Sequence, residues 1–431
     1  MGTQISFAAT GDSFITRTLP EKDEKFNSIK NILMSAHVKF TNLETTVHKN
    51  SGYPAAVSGG TWAKAAPEVL KVLKDYGFDI LSLANNHMLD YSIGGLLSTL
   101  KNVRDYNFNS CGAGENLAEA CAPNYIEVSN HRVAFIAATS TFEEYNKAGE
   151  QRNDENGRPG INPLQCKTTQ IITEKDLDKL KRIAEGTRIN EEYNLNVREG
   201  FTVPPNDDVY LFGGQRFQVG SKRGKVTDIN QKDMNRIRDK ILEAERRSDY
   251  VVVSIHAHQM KQEKNKPAEF IEKFARKCID TGAHAVIGHG PHVLRGIEIY
   301  KKRPIFYSLG NFIYQSETVK NQPHDFYKKY GLGHNDNIAD ALDAMNDNYN
   351  RGLCINPLVF ESVVPYWTMK DGKLDSLKLY PIKLGFEEPI YKMGWPRLSK
   401  DINILKRIQK LSSCYNTELK IKNNIGIVKL N

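Results

Sequence analysis

The chain has 431 residues, of which 40% are hydrophobic and 26% are charged, and its formal net charge at pH 7 is +8. This composition is typical of a soluble globular protein and excludes a largely disordered chain. The Lys and Arg residues are spread along the sequence, which argues against a dedicated nucleic-acid surface. The positive net charge favours anionic substrates. Neither an N-terminal signal peptide nor a run of ~18 apolar residues is visible, so we expect a cytoplasmic protein without a membrane segment.

The first part of the chain alternates predicted strands with predicted helices. Apolar runs that begin at Ile5, Val38 and Ile80 predict strands that are buried on both faces, as in parallel sheets. The other elements predicted here are helices at residues 66–76 and 92–106 and a hairpin of residues 125–129 and 132–139. This alternation predicts an α/β fold.

Two insertions interrupt the predicted elements. Residues 142–231 are polar and charge-rich, with one predicted helix at 174–184 and few predicted strands. Stretches of this kind are usually functional lids or disorder. A second insertion, rich in Asn, Asp and His, spans residues 318–350. Around these insertions we predict helices at 233–247, 271–281 and 401–411, and strands at 249–256, 285–288, 303–311, 357–369 and 373–384.

Polar side chains of the kinds that bind metals follow five of the predicted strands. These candidates are Asp12, Glu44, Asn86, His87, His256, His258, His289 and His292. Taken singly, each has a plainer interpretation, such as a turn for Asp12, an exposed loop acid for Glu44 or a helix cap for His87. In open α/β sheets, however, ligands bind outside the carboxyl ends of the strands. Because all the candidates lie at that end, we predict a metal site.

The chemistry of these side chains narrows the choice of metal and reaction. Mixed nitrogen and oxygen ligands suit zinc, manganese or iron better than calcium. Two such ions, about 3.5–4 Å apart and bridged by a carboxylate, are suited to hydrolysing a phosphate ester. The sequence contains no GxxxxGK[ST] loop, no Gly-x-Ser-x-Gly elbow and no Cys-x-x-Cys. P-loop chemistry, a serine hydrolase and a zinc knuckle are therefore not supported.

Together the motifs resemble the capsule-synthesis protein CapA family, which includes poly-γ-glutamate biosynthesis proteins and belongs to the calcineurin-like metallophosphatase superfamily. The resemblance covers roughly residues 5–314, apart from the insertion, and is carried by FAATGDSF, FTNLETTV, LSLANNHMLDY, CGAGENLAEA, GRPGINPL, VVVSIHAH and GAHAVIGHGPHVLRG. It implies a four-layer α/β/β/α sandwich with metals at the strand ends. We accordingly divide the chain into a metallophosphatase domain, residues 1–355, and C-terminal strands and a tail, residues 356–431, packed on the core.

The resemblance also implies roles for the candidate ligands. Asp12 and Glu44 match the first and the bridging carboxylate, and Asn86 matches the amide ligand. Second-site ligands are implied at His256 and His289, and the last histidine at His292. The sequence departs from the superfamily at three points, since Asp-x-His is Asp12-Ser13-Phe14, the bridging Asp is Glu44, and Gly-His-x-His is Gly-His-x-x-His. The first site thus lacks one ligand, and it is either empty or filled by an unusual ligand such as His258.

The function implied is that of a metal-dependent hydrolase of phosphoesterase type with one or two divalent ions per chain. His87 would be the general acid, with Asp90 orienting its imidazole. Arg158, in a GRPGINPL piece that would lie near the site, and Asn311 are predicted to bind substrate. The substrate is expected to be an anionic small molecule, peptide or polymer. Two alternatives remain open, a metal-dependent peptide epimerase and a non-enzymatic component that binds or assembles an anionic polymer.

Overall fold

The structure is a computed structural model that describes residues 4–18, 24–205 and 208–430. The elements up to residue 140 are β1 (Ile5–Phe14), α1 (Glu24–Met34), β2 (Val38–Leu43), β3 (Thr46–Val47), β4 (Lys64–Ala65), α2 (Val69–Tyr76), β5 (Ile80–Ser82), α3 (Ser92–Asp105), β6 (Asn109–Cys111), β7 (Ala113–Gly114), α4 (Leu117–Ala120), β8 (Asn124–Val128) and β9 (His131–Thr139). The first predicted insertion contains β10 (Gly160–Ile161), β11 (Cys166–Ile172), α5 (Glu174–Thr187), α6 (Glu191–Arg198), β12 (Tyr210–Phe212), β13 (Gln215–Val219) and β14 (Gly224–Ile229).

The remaining elements complete both main sheets and add the C-terminal strands. They are α7 (Gln231–Glu245), β15 (Tyr250–His256), α8 (Glu269–Thr281), β16 (Ala285–His289), β17 (Ile297–Tyr300), β18 (Arg303–Phe306), β19 (Asn311–Tyr314), α9 (His324–Lys329), α10 (Ile338–Asn346), β20 (Glu361–Lys370), β21 (Lys373–Lys383), β22 (Arg397–Leu398), α11 (Ile402–Ser413), β23 (Leu419–Lys422) and β24 (Ile425–Val428). Short 3-10 helices lie at Glu144–Asn146, Ser316–Thr318, Leu353–Ile355, Pro357–Phe360 and Ile390–Lys392.

Two sheets form the centre of the protein. The larger has the order β23-β24-β21-β20-β1-β2-β5-β6, with β19 also paired to β1 and β22 to β21. The smaller has the order β17-β18-β16-β15-β9-β8. The strands β1, β2 and β5 run parallel, as do β9, β15 and β16. Parallel pairing explains their continuous apolar runs, because such strands are buried on both faces.

The two sheets pack face to face and carry helices on their outer faces. Between the sheets, the Phe40 and Phe135 rings stack with centroids 5.5 Å apart, and Phe306 lies 5.3 Å from Trp367. A second apolar cluster joins α1, α2 and α3 to the other face of the large sheet. A third joins α7 and α8 to the other face of the small sheet. This packing agrees with the predicted α/β/β/α sandwich.

The C-terminal strands are part of the large sheet. Strand β20 pairs antiparallel with β1, and β21 pairs antiparallel with β20 around a turn at residues 371–372. Strand β20 begins at Glu361 rather than at 357, because residues 357–360 form a 3-10 helix that starts with a proline. Residues 356–431 therefore extend the sheet that carries β1. The hairpin β23–β24 was missed in the sequence.

The prediction that residues 142–231 are poor in strands is wrong. Strands β11 to β14 form a separate four-stranded sheet in the order β12-β13-β11-β14. Most residues of β13 and β14 are exposed or half-buried, so these strands lack the apolar runs that mark buried ones. The sequence VPPNDD at residues 203–208 is typical of a turn, but its Asn206 and Asp207 lie outside the described residues. Whether the insertion acts as a lid stays a prediction.

The second insertion is helical and packs on the large sheet's helical layer. It contains α9 and α10. Gln322, which precedes α9, accepts a hydrogen bond from the Trp62 amide and donates one to the Trp62 carbonyl, both at 2.9 Å. In the part of the chain that the structure describes, no helix has the length and apolar composition needed to cross a bilayer.

Candidate metal centre

Asp12 joins the two sheets at their carboxyl ends. Its side chain is fully buried, and the register of β1 against β2 shifts just before it. One carboxylate oxygen accepts from Asn42 Nδ2 at 2.8 Å, and the other accepts from the amide of Gly290 at 2.9 Å. Gly290 has φ +112°, and a Cβ there would lie 2.7 Å from the His258 ring. The close approach therefore requires glycine.

Glu44 is a fully buried carboxylate without a hydrogen-bond partner on either oxygen. Its Oε1 lies 3.5 Å from His256 Nε2. Burial raises the pKa of Glu44 well above its ordinary value, and the charges of Asp12 and Asp90 raise it further. Buried carboxylates are normally paired or bound to a metal, so these two oxygens fit a cation.

Two sets of possible ligand atoms share Glu44. The atoms of Asp12, Glu44 and His256 all lie within 4.8 Å of one another, and so do those of Glu44, His258 and His292. Among the described residues, these are the two groups of at least three His, Cys, Asp or Glu side chains that could hold a metal ion. Carboxylate and imidazole donors in this arrangement fit two transition-metal ions bridged by one carboxylate.

The histidines of the site are suited to act as neutral ligands. Burial lowers the pKa of His256 to about 3, against the opposing charge of Asp12. The pKa of His258 is also lowered well below its ordinary value by burial and by the neighbouring His256 and His292. The Nε2 atoms of His256 and His258 lie 3.0 Å apart. Neutral imidazoles have a free lone pair, so converging nitrogens of this kind can ligate a metal.

The imidazoles in turn act on Asp12. Burial alone would raise the pKa of Asp12, but the contact with His289 and the other surrounding imidazoles outweigh it and lower the pKa. His289 is fully buried, and its Nδ1 lies 3.3 Å from Asp12 Oδ1 without hydrogen-bond alignment. Asp12 is therefore held as a carboxylate.

Asn86 and His289 lie outside the two sets, but both have donor atoms without partners. The Oδ1 of Asn86 and both ring nitrogens of His289 are buried and unbonded. Their roles as ligands stay predictions. In place of the superfamily's histidine, Phe14 packs edge-on against the His87 ring with centroids 5.2 Å apart. His258 belongs to the set with Glu44 and His292, and its role as a replacement ligand stays a prediction.

His87 and Asp90 form a buried pair beside the two sets. His87 Nδ1 lies 2.7 Å from Asp90 Oδ2, which also accepts from the amide of Ala63 at 2.7 Å. Helix α3 begins at Ser92 after Tyr91, without a side-chain cap. The alternative interpretation of His87 as a helix cap is therefore not supported. Because Nδ1 is taken, Nε2 is the ring nitrogen that can act on a bound molecule.

A cavity of about 290 Å³ lies against this site, and both His87 and His292 line it. Other lining residues come from the end of the second insertion and the residues after it, among them Met345, Asn346 and Arg351. The first insertion reaches the neighbouring loop, since Tyr145 Oη donates to the carbonyl oxygen of Val57 at 2.5 Å.

The two predicted substrate-binding residues are differently placed. Asn311 is fully buried; its Oδ1 lies 2.9 Å from His292 Nδ1, and its Nδ2 donates to the Val359 carbonyl at 2.9 Å. This geometry holds the His292 ring. Arg158 is exposed, and its Nε donates to the carbonyl of Lys147 at 2.9 Å. Substrate binding by either residue stays a prediction.

Sequence reasoning missed two supporting residues. Asn42 donates to Asp12 at 2.8 Å and lies 3.3 Å from His256 Nδ1. Arg295 is fully buried and donates to four backbone carbonyls, those of Ala257, His258, Gln259 and Lys264, at 2.9–3.4 Å. We call this arrangement the Arg295 anchor. Both residues lie within the quoted motifs, two residues before Glu44 and three after His292, and that proximity was the available signal.

Comparison with known proteins identifies the family. The sequence model described as "Bacterial capsule synthesis protein PGA_cap" matches residues 6–316. The uncharacterized protein y4sH of Sinorhizobium fredii is 32% identical over 441 residues, which cover 99% of this chain and 93% of the relative. The capsule biosynthesis protein CapA of Bacillus anthracis is 26% identical, over 76% of this chain and 64% of its own. The PGA biosynthesis protein CapA of Bacillus subtilis is 24% identical, over 86% and 81%.

One solved structure, a hypothetical protein from Thermus thermophilus, covers 88% of this chain and 99% of its own at 11% identity, with a TM-score of 0.39. A likeness this weak carries no argument about fold or function. The family match spans well over half of the chain, and the y4sH relative covers nearly all of it. The chain therefore belongs to the PGA_cap family of bacterial capsule synthesis proteins.

Proposed function

We propose that this protein is a metal-dependent hydrolase of phosphoester type with two divalent transition-metal ions, manganese, zinc or iron. The observation that carries the proposal is the position of Glu44, a buried carboxylate without hydrogen-bond partners that belongs to both sets of ligand atoms. A bridging carboxylate is a recurrent feature of two-metal hydrolytic sites.

The chain offers enough donors for two ions. Asp12, Glu44 and His256 would hold one ion, and Glu44, His258 and His292 the other. The unbonded donor atoms of Asn86 and His289 would complete the coordination. When bound, such ions act as Lewis acids and lower the pKa of a water nucleophile.

His87 and Asp90 would supply the proton for the leaving group. With Nδ1 held at 2.7 Å by Asp90, Nε2 of His87 would donate a proton to the leaving oxygen of a substrate in the adjacent cavity. Asp90 fixes the ring orientation and stabilises the protonated imidazole. Phe14 packs edge-on against the His87 ring and lines the same cavity.

The substrate would be anionic and connected with capsule polymer metabolism. The relatives from Bacillus are named for capsule and PGA biosynthesis. The net charge of +8 favours an anionic substrate. A phosphorylated precursor of such a pathway fits both properties.

The test is turnover of p-nitrophenyl phosphate by protein loaded with manganese. We expect activity in the wild type and its loss in Glu44→Gln and His87→Ala. His324→Ala, which changes an exposed histidine, is the control. The proposal fails if fully loaded protein releases no nitrophenol. In that case, uptake of solvent deuterium into a peptide would indicate an epimerase, and a shift on an anionic polymer without turnover would indicate a binding protein.

A further inference from the structure

Arg351 lines the same cavity as His87 and His292. Among the described residues that line this cavity, Arg351 is the one with a permanently charged basic side chain. The cavity volume of about 290 Å³ lies near the lower limit of ligand pockets, which range over ~300–1,000 Å³. The space therefore suits one small terminal group, and a cation on its wall determines which groups are stable there.

The guanidinium of Arg351 is held in place by backbone groups. Its Nε donates to the carbonyl of Met345 at 3.1 Å, and its Nη2 donates to that of Ala344 at 3.3 Å. Both carbonyls belong to the last turn of α10. The contacts of this guanidinium among the described residues are with these backbone carbonyls, and none is an ion pair with a carboxylate. Arg351 is thus a fixed cation with donor capacity left for a bound molecule.

Glu317 is the carboxylate of the same lining, and it does not serve as the counter-ion. Its Oε1 accepts from Ser316 Oγ at 2.9 Å, and its Oε2 accepts from Asn346 Nδ2 at 2.8 Å. Burial raises the pKa of Glu317. Since both oxygens of Glu317 bond other side chains, Arg351 has no paired carboxylate among the described residues of this lining.

We infer that Arg351 binds a second anionic group of the substrate, so the substrate class is a phosphoester that also carries a carboxylate or another phosphate. A guanidinium binds either group through paired hydrogen bonds. This inference rests on the proposed hydrolase, in which the phosphoester lies at the ligand sets. It gives the residue directly after the second insertion a part in selecting the substrate.

The experiment measures phosphate release from three substrates by manganese-loaded protein. Phosphoglycolate carries a carboxylate, 1,3-propanediol bisphosphate carries a second phosphate, and p-nitrophenyl phosphate carries neither. In Arg351→Gln we expect KM to rise roughly 10- to 100-fold for the substrate whose second group Arg351 binds, with kcat little changed. KM for p-nitrophenyl phosphate should stay the same. Arg351→Lys should be intermediate, because it keeps the charge and loses the fork.

Arg246→Gln is the matched control. Arg246 is also exposed at the end of a helix, and its Nε donates to the carbonyl of Leu242 at 3.3 Å. It should leave all three KM values unchanged. An equal KM for wild type and Arg351→Gln on both substrates that carry a second anionic group would overturn the inference, as would a KM rise of the same size for p-nitrophenyl phosphate.

A calorimetric titration separates this inference from the proposed function. If loaded wild-type protein releases phosphate from no substrate, the hydrolase proposal fails. Glutarate binding that weakens at least 10-fold in Arg351→Gln would then still support an anion site at Arg351. Equal glutarate binding by the wild type and Arg351→Gln would overturn it.

Discussion

A buried histidine lies at each end of strand β15, and the surroundings of the two histidines differ in one respect. At its start, the ring of His284 accepts from the amide of Val251 at 3.1 Å. At its end, His256 Nδ1 lies 3.8 Å from Asp12 Oδ1, and His256 Nε2 lies 3.5 Å from Glu44 Oε1. Burial lowers the pKa of both His284 and His256 to about 3. The lowered pKa thus does not distinguish them, whereas the two carboxylates beside His256 do.

The same contrast separates Arg295 from Glu44. Both are fully buried charged groups. The guanidinium donates to four carbonyls of the segment that begins after His256, whereas the carboxylate has no partner. A buried group with all its bonds made stabilises the fold, and one left without partners indicates a missing ligand. Substitutions at these residues test whether that distinction holds.

The largest effect is expected for Glu44→Gln. A neutral amide cannot bridge two cations, so both ions should bind weakly and turnover should fall below detection. The metal-free variant should melt at the same temperature as metal-free wild type, because the raised pKa of Glu44 already disfavours its charged form. Elemental mass spectrometry and melting curves in chelator measure these effects.

Glu269→Gln, an exposed change on α8, is the control for Glu44→Gln. It should keep the full metal content and activity. Full metal content in Glu44→Gln as well would show that Glu44 is not a ligand.

His87→Ala should keep its metal and lose activity. Loss of a general acid typically reduces kcat ~10²–10⁴-fold. Asp90→Asn should reduce kcat less, since the imidazole remains but its orientation is no longer enforced by a charge. Metal content, kcat and melting temperature should be measured on the same samples. A drop in melting temperature with unchanged activity per folded molecule would instead indicate a structural role for His87.

Arg295→Met should mainly reduce stability. It leaves four backbone carbonyls without their donor, and we expect the free energy of unfolding to fall by about 3 kcal/mol. Because the anchored segment includes the backbone of His258, metal affinity should fall as well. Urea unfolding with and without chelator separates the two effects. Arg152→Met, at an exposed site, is the control. A stability equal to that of wild type would mean that water replaces the guanidinium.

The sequence was sufficient to predict the strand ends and most residues around them. Continuous apolar runs that stop at Asp12, Glu44 and His256 mark buried parallel strands, and the sheet then brings their ends together. The two ligand sets could not be predicted, because His258 and His292 approach Glu44 only through the packing of two sheets. Arg351 had no signal either, since its place at the cavity depends on how α10 packs.

Two regions were missed for different reasons. The inserted sheet β11–β14 was overlooked because half-exposed strands have weak alternation and no apolar run. Helix α1 carried a detectable pattern, with buried residues at Phe26, Ile29 and Leu33 spaced three and four apart. Local sequence thus determines buried elements well and surface elements poorly, because solvent-facing positions accept many residues.

The smallest effect is expected at the start of β15. Of the two histidines compared above, His284 has no carboxylate beside it, and His284→Asn tests its role in the fold. The pKa of His284 is about 3 in the folded protein and 6.5 as its ordinary value. As the pH falls below 6.5, the unfolded chain gains a proton that the folded chain cannot, so folding stability is lost by ~1.4 kcal/mol per pH unit. Above pH 6.5 both states are neutral, and the residue has no effect on the pH dependence.

Asparagine does not titrate and can accept from the Val251 amide. The difference in unfolding free energy between pH 7 and pH 5 should therefore shrink by about 2 kcal/mol in His284→Asn, measured by urea unfolding of metal-free protein. His324→Asn, at an exposed histidine, should leave this difference unchanged. The same difference in His284→Asn and wild type would mean that His284 is protonated in the folded state, and burial would then not be what sets its charge.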